Sequence, residues 1–386
     1  MKKIIKILSC FFLIMGCSDD NNLLEDIAVR GGFVQFVDVP DLNFNILEAD
    51  SQTISARLVD PNNNITSYSL SAVYDGNVAN NIVEITSFPA DLNLSVGDIL
   101  SSLGITNSDL SLSEGITLVA MVTTPTGVFS GETPAYDENN VNQGGDSTVR
   151  LKATGLKDAI EFDVTFFLPP AKTIRSTSFE EVAIGPNTDD VYDRNGGNDE
   201  TGDLINGINP PFVDYTAVGT GADNEIGFNT EYFAIPGISS SSLGFSEERI
   251  GVYSLFEDYE AYPDGTQGYH IEDADGGIRI TFDTVDVPAG QNNSGISFQA
   301  FFGDTSWESE DGIHAFVNIT TDSGNDTIDM VDIFDDDVEA VAGVWNEYNT
   351  GFLQGVRSYQ LVIEASCGAT TESFDFDNIV VFEPED

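Results

Sequence analysis

From residue 31 onward the chain consists of short stretches in which apolar and polar residues alternate. Residues 52–59 form one such stretch and residues 65–74 the next, and the turn sequence DPNNN at residues 60–64 separates them. Alternation with period two places the apolar residues on one face of a β-strand, and turn residues let consecutive strands pair antiparallel. Parallel-sheet folds need long helices between their strands, which this pattern lacks. The sequence therefore predicts an all-β chain.

Pro169 and Pro170 mark the predicted boundary between two domains. A chain of 386 residues is long enough for about two domains. Consecutive prolines cannot continue a strand ladder, and they stiffen a linker. We predict a β-sandwich over residues 31–170. Residues 171–386 have more strand and turn pattern and no long helix, which favours a larger antiparallel jelly-roll β-sandwich.

One short helix interrupts the strands of the first domain. Ile99, Leu100 and Leu103 form one apolar stripe, and Gly104 stands where a left-handed cap would end the helix. This helix and the turn-and-strand pattern before it resemble the N-terminal immunoglobulin-like module of SusE-like polysaccharide-utilisation lipoproteins, over residues 31–168. The resemblance implies an immunoglobulin-like sandwich that acts mainly as a spacer.

Residues 1–17 have the pattern of a bacterial lipoprotein signal peptide. Lysines precede an apolar run at 7–15 that is nine residues long, which is too short for a spanning helix of about 20 residues. The ending IMGC resembles a lipobox, which implies that Cys17 is acylated and becomes the new N-terminus. The acidic sequence SDD that follows resembles the signal for surface display in Bacteroidota, and residues 18–30 would be a tether. The alternative is an ordinary secretory signal in which Cys17 is incidental.

The charge of the chain limits its partners. The sequence has 65 acidic and 14 basic residues, for a formal net charge of −51. Such a surface repels nucleic acid and anionic lipid head groups, so we expect no nucleic-acid partner and membrane contact through the lipid anchor only. The many carboxylates are candidate ligands for hard cations such as calcium.

The two ends of the second domain suggest a metal site. The opening sequence SFEE, with Glu180 and Glu181, and the closing sequence FDFDNI, with Asp377, resemble the first and last strands of jelly-roll carbohydrate-binding modules. The resemblance covers most of residues 176–382. If these strands lie side by side, Glu180 or Glu181 could meet Asp377 and hold a structural calcium ion. The alternative is that these carboxylates are edge-strand charges that discourage aggregation.

Aromatic residues are candidates for binding a sugar, because flat rings cover the C–H faces of a pyranose and carboxylates pair with its hydroxyls. Trp307 lies in a polar loop beside Glu308, which makes it the first candidate platform. Trp345 is the second, and Tyr262 and Tyr269 bracket a turn at the same predicted rim. Packing in the core is the alternative for each of these rings.

Catalysis is not expected. Glu308 and Glu310 have the spacing of a carboxylate pair but lie in a predicted loop, and neither His270 nor His314 falls in a triad order. We therefore predict a non-catalytic lipoprotein at the cell surface that captures extracellular polysaccharide, with an outer-membrane transporter complex as a candidate partner. The alternative is an adhesin or structural protein that binds another protein, and a glycan-degrading enzyme ranks third.

Overall fold

The computed structural model describes residues 32–130, 135–136, 142–144, 157–180, 201–204, 211–217, 225–235, 249–254, 261–274 and 276–385. The chain divides into two compact units, Met1–Leu168 and Pro169–Asp386. The prediction of an all-β chain is confirmed. The predicted signal peptide, Cys17 and the tether lie outside the described residues. Within those residues, no helix has the length and apolar character needed to span a membrane.

The first unit is made of short strands with one helix between them. Its described elements are β1 (Gln35–Phe36), β2 (Asn43–Asn45), β3 (Thr53–Val59), β4 (Ser67–Tyr74), β5 (Asn77–Ile85), β6 (Ala90–Ser95), α1 (Val96–Leu103), β7 (Ile116–Thr124), β8 (Gly127–Ser130), β9 (Ala135–Tyr136), β10 (Asn142–Gly144) and β11 (Glu161–Phe167), with 3-10 helices at Ile46–Ser51 and Asn107–Asp109.

Two sheets of the first unit enclose one apolar core. One has the strand order β1-β3-β6, and the other has the order β2-β11-β7-β4-β5, with β8 beside β7. Helix α1 packs on this core through the predicted stripe of Ile99, Leu100 and Leu103. The Ser95 hydroxyl accepts a hydrogen bond from the amide of Asp98 at its start, and Gly104 adopts a φ of 74° at its end. The predicted helix is therefore present with its predicted cap.

The second unit is larger and almost wholly β. Its described elements are β12 (Ala171–Thr177), β13 (Thr201–Asp203), β14 (Asp214–Ala217), β15 (Phe228–Phe233), β16 (Arg249–Ser254), β17 (Gln267–Glu272), β18 (Gly277–Phe282), β19 (Val285–Asp286), β20 (Asn293–Phe302), β21 (Gly312–Thr321), β22 (Gly324–Phe334), α2 (Asp336–Glu339), β23 (Trp345–Asn349), β24 (Leu353–Gln354), β25 (Val356–Ser366) and β26 (Ser373–Pro384).

These strands form an antiparallel two-sheet sandwich. Sheet A has the order β13-β16-β17-β26-β20-β23, with β12 beside β26 and β24 beside β20. Sheet B has the order β14-β15-β18-β25-β21-β22, with β19 beside β25. The inward residues of both sheets form one core cluster, which follows from the alternation along each strand. The first and last strands, β12 and β26, are antiparallel neighbours, as the metal-site prediction required.

Three connections cross between the sheets at the same end of the sandwich. They join β17 to β18, β20 to β21 and β25 to β26, through residues 273–276, 303–311 and 367–372. We call this the crossover end. Cys367 lies here and is buried, and burial raises the pKa of its thiol well above the ordinary value. This cysteine is therefore a small core residue.

Candidate ligand-binding face and acidic cluster

Trp307 is a core residue and not an exposed sugar platform. Only 4% of its surface is accessible, its ring lies 4.8 Å from that of Phe374, and its Nε1 donates to the carbonyl of Gly303 at 3.3 Å. Trp307 lies in a loop that crosses the end of the sandwich, and its side chain, the single large apolar one in that loop, fills the gap between the sheets. Glu308, the next residue, is exposed.

The two predicted tyrosines are also buried, which corrects their assignment to a rim. Tyr269 is fully buried in β17, and its hydroxyl lies 2.9 Å from that of Thr230. Tyr262 is 7% exposed and donates to Asp375 Oδ1 at 3.1 Å. Trp345 is half-buried in the edge strand β23, with its ring 5.8 Å from that of Tyr262. Of the predicted aromatic residues, only Trp345 keeps an accessible surface.

Glu180 and Asp377 lie close enough to influence each other electrostatically, but both accept hydrogen bonds from the backbone of residues 264–267. Glu180 Oε1 accepts hydrogen bonds from the amides of Thr266 and Gln267 at 2.6 and 2.7 Å. Asp377 Oδ2 accepts from the amide of Asp264 at 2.9 Å. Burial raises the pKa of Asp377 to about 7. These amides already donate to the carboxylate oxygens that would otherwise bind a cation. A calcium ion here therefore stays a prediction.

Within the described part of the chain, neither Glu180 nor Asp377 belongs to a group of three possible metal-ligating side chains. Glu181, the remaining member of the predicted site, lies outside the described residues.

The outward side of sheet B presents ordered rows of side chains. The residues of β21 at 313, 315, 317 and 319 are buried, so those between them face outward. The register pairs β21 with β25 and β22. From the crossover end, the rows are His314 with Glu364 and Asp332, Phe316 with Val362 and Asp329, Asn318 with Gln360 and Thr327, and Thr320 with Ser358 and Asn325. We call this surface the outer face.

A cleft of about 530 Å³ lies over the last two rows of the outer face. Nine residues line it, and of these only Asp326 is charged. Thr327 Oγ1 donates to Asn318 Oδ1 at 3.0 Å, and Asn318 Nδ2 lies 3.5 Å from Gln360 Oε1. Hydrogen bonds between neighbouring side chains therefore orient the amide and hydroxyl groups of the cleft. The volume of the cleft falls within the usual range for ligand sites.

The opposite end of the outer face is charged and cross-linked. Arg279 Nη1 contacts Glu231 Oε1 at 2.7 Å, and its Nε contacts Glu364 Oε1 at 2.6 Å. The ring of His314 lies 4.9 Å from that of Phe316 at an interplanar angle of 35°. Phe316 thus lies between the row of His314 and the cleft, and part of its side chain is accessible.

Three carboxylates form an acidic cluster at the crossover end, consisting of Glu308, Asp311 and Glu372. One carboxylate oxygen from each lies within 4.8 Å of the other two. Glu372 is fully buried, and its Oε2 accepts hydrogen bonds from the amides of Gly368 and Ala369 at 2.9 and 3.1 Å. Burial and the neighbouring Glu308 raise the pKa of Asp311 to about 7 and that of Glu372 to about 8.

Sequence reasoning missed Asp311, Glu372 and the outer face. Glu372 is 64 residues from Glu308 in sequence, and only the topology of the crossover loops brings them together. The sequence does contain a signal for the outer face, because apolar residues alternate with others from Ile313 to Ile319, which implies that Phe316 and Asn318 face away from the core.

No family model matches this chain, and no curated protein matches it. Several solved structures are similar to it. One, described as a study of promiscuous specificity in carbohydrate-binding modules of the β-sandwich superfamily, has 11% identity, covers 91% of this chain and 97% of its own, and gives a TM-score of 0.25. The C-terminal family 22 carbohydrate-binding module of Clostridium thermocellum Xyn10B has 11% identity, coverage of 36% and 83%, and a TM-score of 0.21.

The K2 adhesin domain of Lys-gingipain has 13% identity, covers 44% of this chain and 99% of its own, and gives a TM-score of 0.26. Because these TM-scores are all below 0.5, the ligand of this chain has to be inferred from its own side chains.

Proposed function

We propose that this protein binds a neutral extracellular carbohydrate on the outer face of sheet B and does not cleave it. The observation that carries the proposal is the cleft, in which one of nine lining residues is charged. Seven of the other eight lining residues carry a hydroxyl or an amide group, so neutral hydrogen-bonding groups dominate this surface.

The side chains of the cleft match the chemistry of a sugar. Amides and hydroxyls both donate and accept hydrogen bonds, as sugar hydroxyls do. Asn318, Gln360 and Thr327 supply these groups in one row, and Phe316 in the next row supplies an accessible ring for the C–H face of a pyranose. The net charge of −51 disfavours an anionic polymer, because long-range repulsion would slow its approach.

Binding without turnover is supported by the carboxylate count of the cleft. Hydrolysis of a glycosidic bond needs two carboxyl groups that flank the bond. Asp326 is the one carboxylate among the described residues that line the cleft. The nearest row with several carboxylates lies beyond Phe316, where Arg279 already pairs with Glu364.

We also propose that Cys17 carries the lipid that holds the protein at the outer membrane, on the cell surface. The lipobox-like ending IMGC and the acidic residues after it support this proposal. A tethered binder keeps its ligand near the membrane and gains avidity from a polymer with repeated sites. An outer-membrane transporter would be a suitable neighbour for such a binder.

The test is titration calorimetry of the purified full chain against a panel of soluble neutral and anionic polysaccharides. Asn318→Ala and Gln360→Ala should each weaken binding of a neutral glycan by about fivefold, because a neutral hydrogen bond contributes about 1 kcal/mol. Asn93→Ala is the matched control, since Asn93 is an exposed strand amide of the first unit that accepts a hydrogen bond from Ser55 at 3.2 Å. Its affinity should equal that of the unmodified protein.

Two results would contradict the proposal. The first is a folded protein that binds none of the neutral polysaccharides. The second is binding that survives both cleft substitutions unchanged, which would move the ligand to another surface. Release of reducing ends from any glycan in the panel would instead contradict the claim that binding occurs without cleavage.

A further inference from the structure

The acidic cluster joins two of the three loops at the crossover end. Glu308 and Asp311 lie in the connection from β20 to β21, and Glu372 lies in the connection from β25 to β26. Each connection leads from one sheet to the other. We propose that Glu308, Asp311 and Glu372 bind a hard divalent cation, with Ca²⁺ as its probe, and that the cation fastens these two loops together. This site is separate from the outer face and does not depend on a carbohydrate ligand.

A buried oxygen without a donor points to this ligand. Glu372 is 0% exposed, and the two loop amides occupy its Oε2. Its Oε1 is also buried and has no hydrogen-bond donor among the described residues. A buried acceptor without a partner is costly, and one on a carboxylate more so. The side chains around this oxygen are those of Glu308 and Asp311, which only accept hydrogen bonds when ionised. A cation would therefore supply the missing partner for all three carboxylates.

The geometry suits calcium. Ca²⁺ binds oxygen ligands at about 2.3 to 2.6 Å, so two ligands on opposite sides of the ion are about 4.6 to 5.2 Å apart. The three carboxylate oxygens lie within 4.8 Å of one another, which is inside that span. Glu308 is exposed and gives the ion a path from solvent, whereas Asp311 is 2% exposed and Glu372 is buried beneath it.

The chemistry of the surrounding groups favours a hard cation over a soft one. The three candidate ligands are all carboxylates, and the buried thiol of Cys367 is not among them. Oxygen ligands alone suit Ca²⁺ or Mg²⁺ more than Zn²⁺.

The experiment follows thermal unfolding of the full chain by tryptophan fluorescence, in Ca²⁺ and in EDTA. The sequence has two tryptophans, Trp307 and Trp345, and both lie in the second unit, so the signal reports this unit alone. At a Ca²⁺ concentration about a hundredfold above the dissociation constant, we expect Tm to rise by about 5 °C or more.

Three variants locate the effect. Glu372→Gln should raise Tm in EDTA, because it removes a carboxyl group that is costly to ionise in this buried position, and it should abolish the shift caused by Ca²⁺. Glu308→Gln changes an exposed side chain, so it keeps the fold, and it should weaken Ca²⁺ binding at least tenfold. Glu310→Gln is the matched control from the same loop, where the exposed carboxylate of Glu310 accepts from Ser309 Oγ at 2.8 Å, and it should keep the full shift.

The proposal is overturned if Ca²⁺ leaves the Tm of the unmodified protein unchanged at pH 7.5. It is also overturned if Glu308→Gln keeps the full shift, because the ion would then bind elsewhere, for example at Glu180 and Asp377. Should Glu372→Gln fail to fold, Glu308→Gln and Glu310→Gln still decide the question.

Discussion

A buried histidine should make the stability of the second unit depend on alkaline pH. His270 is 0% exposed, its Nδ1 lies 2.7 Å from Asp375 Oδ1, and its Nε2 lies 3.2 Å from Glu272 Oε2. Burial by itself lowers the pKa of an imidazole, but the two carboxylates outweigh burial and raise the pKa of His270 to about 9. The folded protein therefore keeps an imidazolium between β17 and β26 at neutral pH.

The sign and size of the effect follow from linkage. The pKa of His270 is above the unfolded value of 6.5, so its contribution to stability is fully present below pH 6.5 and is lost as pH rises through about 9. The difference of roughly 2.5 pH units corresponds to about 3 kcal/mol. A change of 1 kcal/mol moves Tm by about 2 to 4 °C in a domain of this size, so the loss amounts to about 6 to 12 °C.

The assay compares the unmodified protein with His270→Gln at several pH values between 6 and 10, again by tryptophan fluorescence. Asp311, Glu372 and Asp377 also titrate near neutrality, but they do so in both proteins, so the difference in Tm isolates His270. The unmodified protein should be more stable at pH 6 and should lose most of that advantage by pH 10. The matched control is His314→Gln, which removes the half-buried histidine of the outer face.

A difference in Tm between the unmodified protein and His270→Gln that stays constant from pH 6 to pH 10 would refute the reasoning. It would mean that the imidazole is neutral in the folded state and that its pairing with Asp375 is an ordinary hydrogen bond. An equal pH dependence in His314→Gln and His270→Gln would refute it as well, because the effect would then not come from the buried pair.

Two further predictions concern the tryptophan loop and the N-terminus. Trp307→Ala should lower the free energy of unfolding by about 3 to 5 kcal/mol, because it leaves a cavity against Phe374. Urea unfolding followed by the fluorescence of Trp345 measures this change. Lost glycan binding with unchanged stability would show instead that the indole contacts ligand. Cys17→Ala should abolish incorporation of labelled fatty acid and release the protein from the outer membrane, and retention of both label and location would contradict the proposed anchor.

The sequence predicted the architecture well because strand faces are local information. The alternation in β4 and β21 can be seen from consecutive residues, and the side chains that it predicts to face the core are buried. The cap of α1 is equally local, since Gly104 lies directly after the last apolar residue of the helix. Features that depend on neighbouring residues can be read without knowing which strands pair.

The candidate site was harder to predict because it depends on distant parts of the chain. The polar residues around Trp307 suggest an exposed loop, and Glu308, Ser309 and Glu310 are indeed exposed. The indole nevertheless turns inward, because the loop spans the open end of the sandwich, where only a large side chain fills the space. Composition around a residue reports the average exposure of a loop, and it does not report the direction of a single side chain.

The separation of the two proposed sites allows each to be tested without disturbing the other. The acidic cluster lies just before the start of β21, and the cleft lies near the end of that strand, with Asp311 and Thr320 nine residues apart in sequence. At about 3.3 Å per residue the two are roughly 30 Å apart. That distance exceeds the Debye length of about 8 Å at physiological salt, so charge at the cluster is screened from the cleft.

A neutral glycan in the cleft should therefore bind equally well with and without Ca²⁺, provided that the second unit stays folded. The direct check is the glycan affinity of Glu372→Gln, measured at a temperature well below its Tm. An affinity that falls with this substitution would mean that the crossover loops position the outer face through the strands they connect. In that case the cation would act on ligand binding through β21 and β25, the two strands that run from the cluster to the cleft.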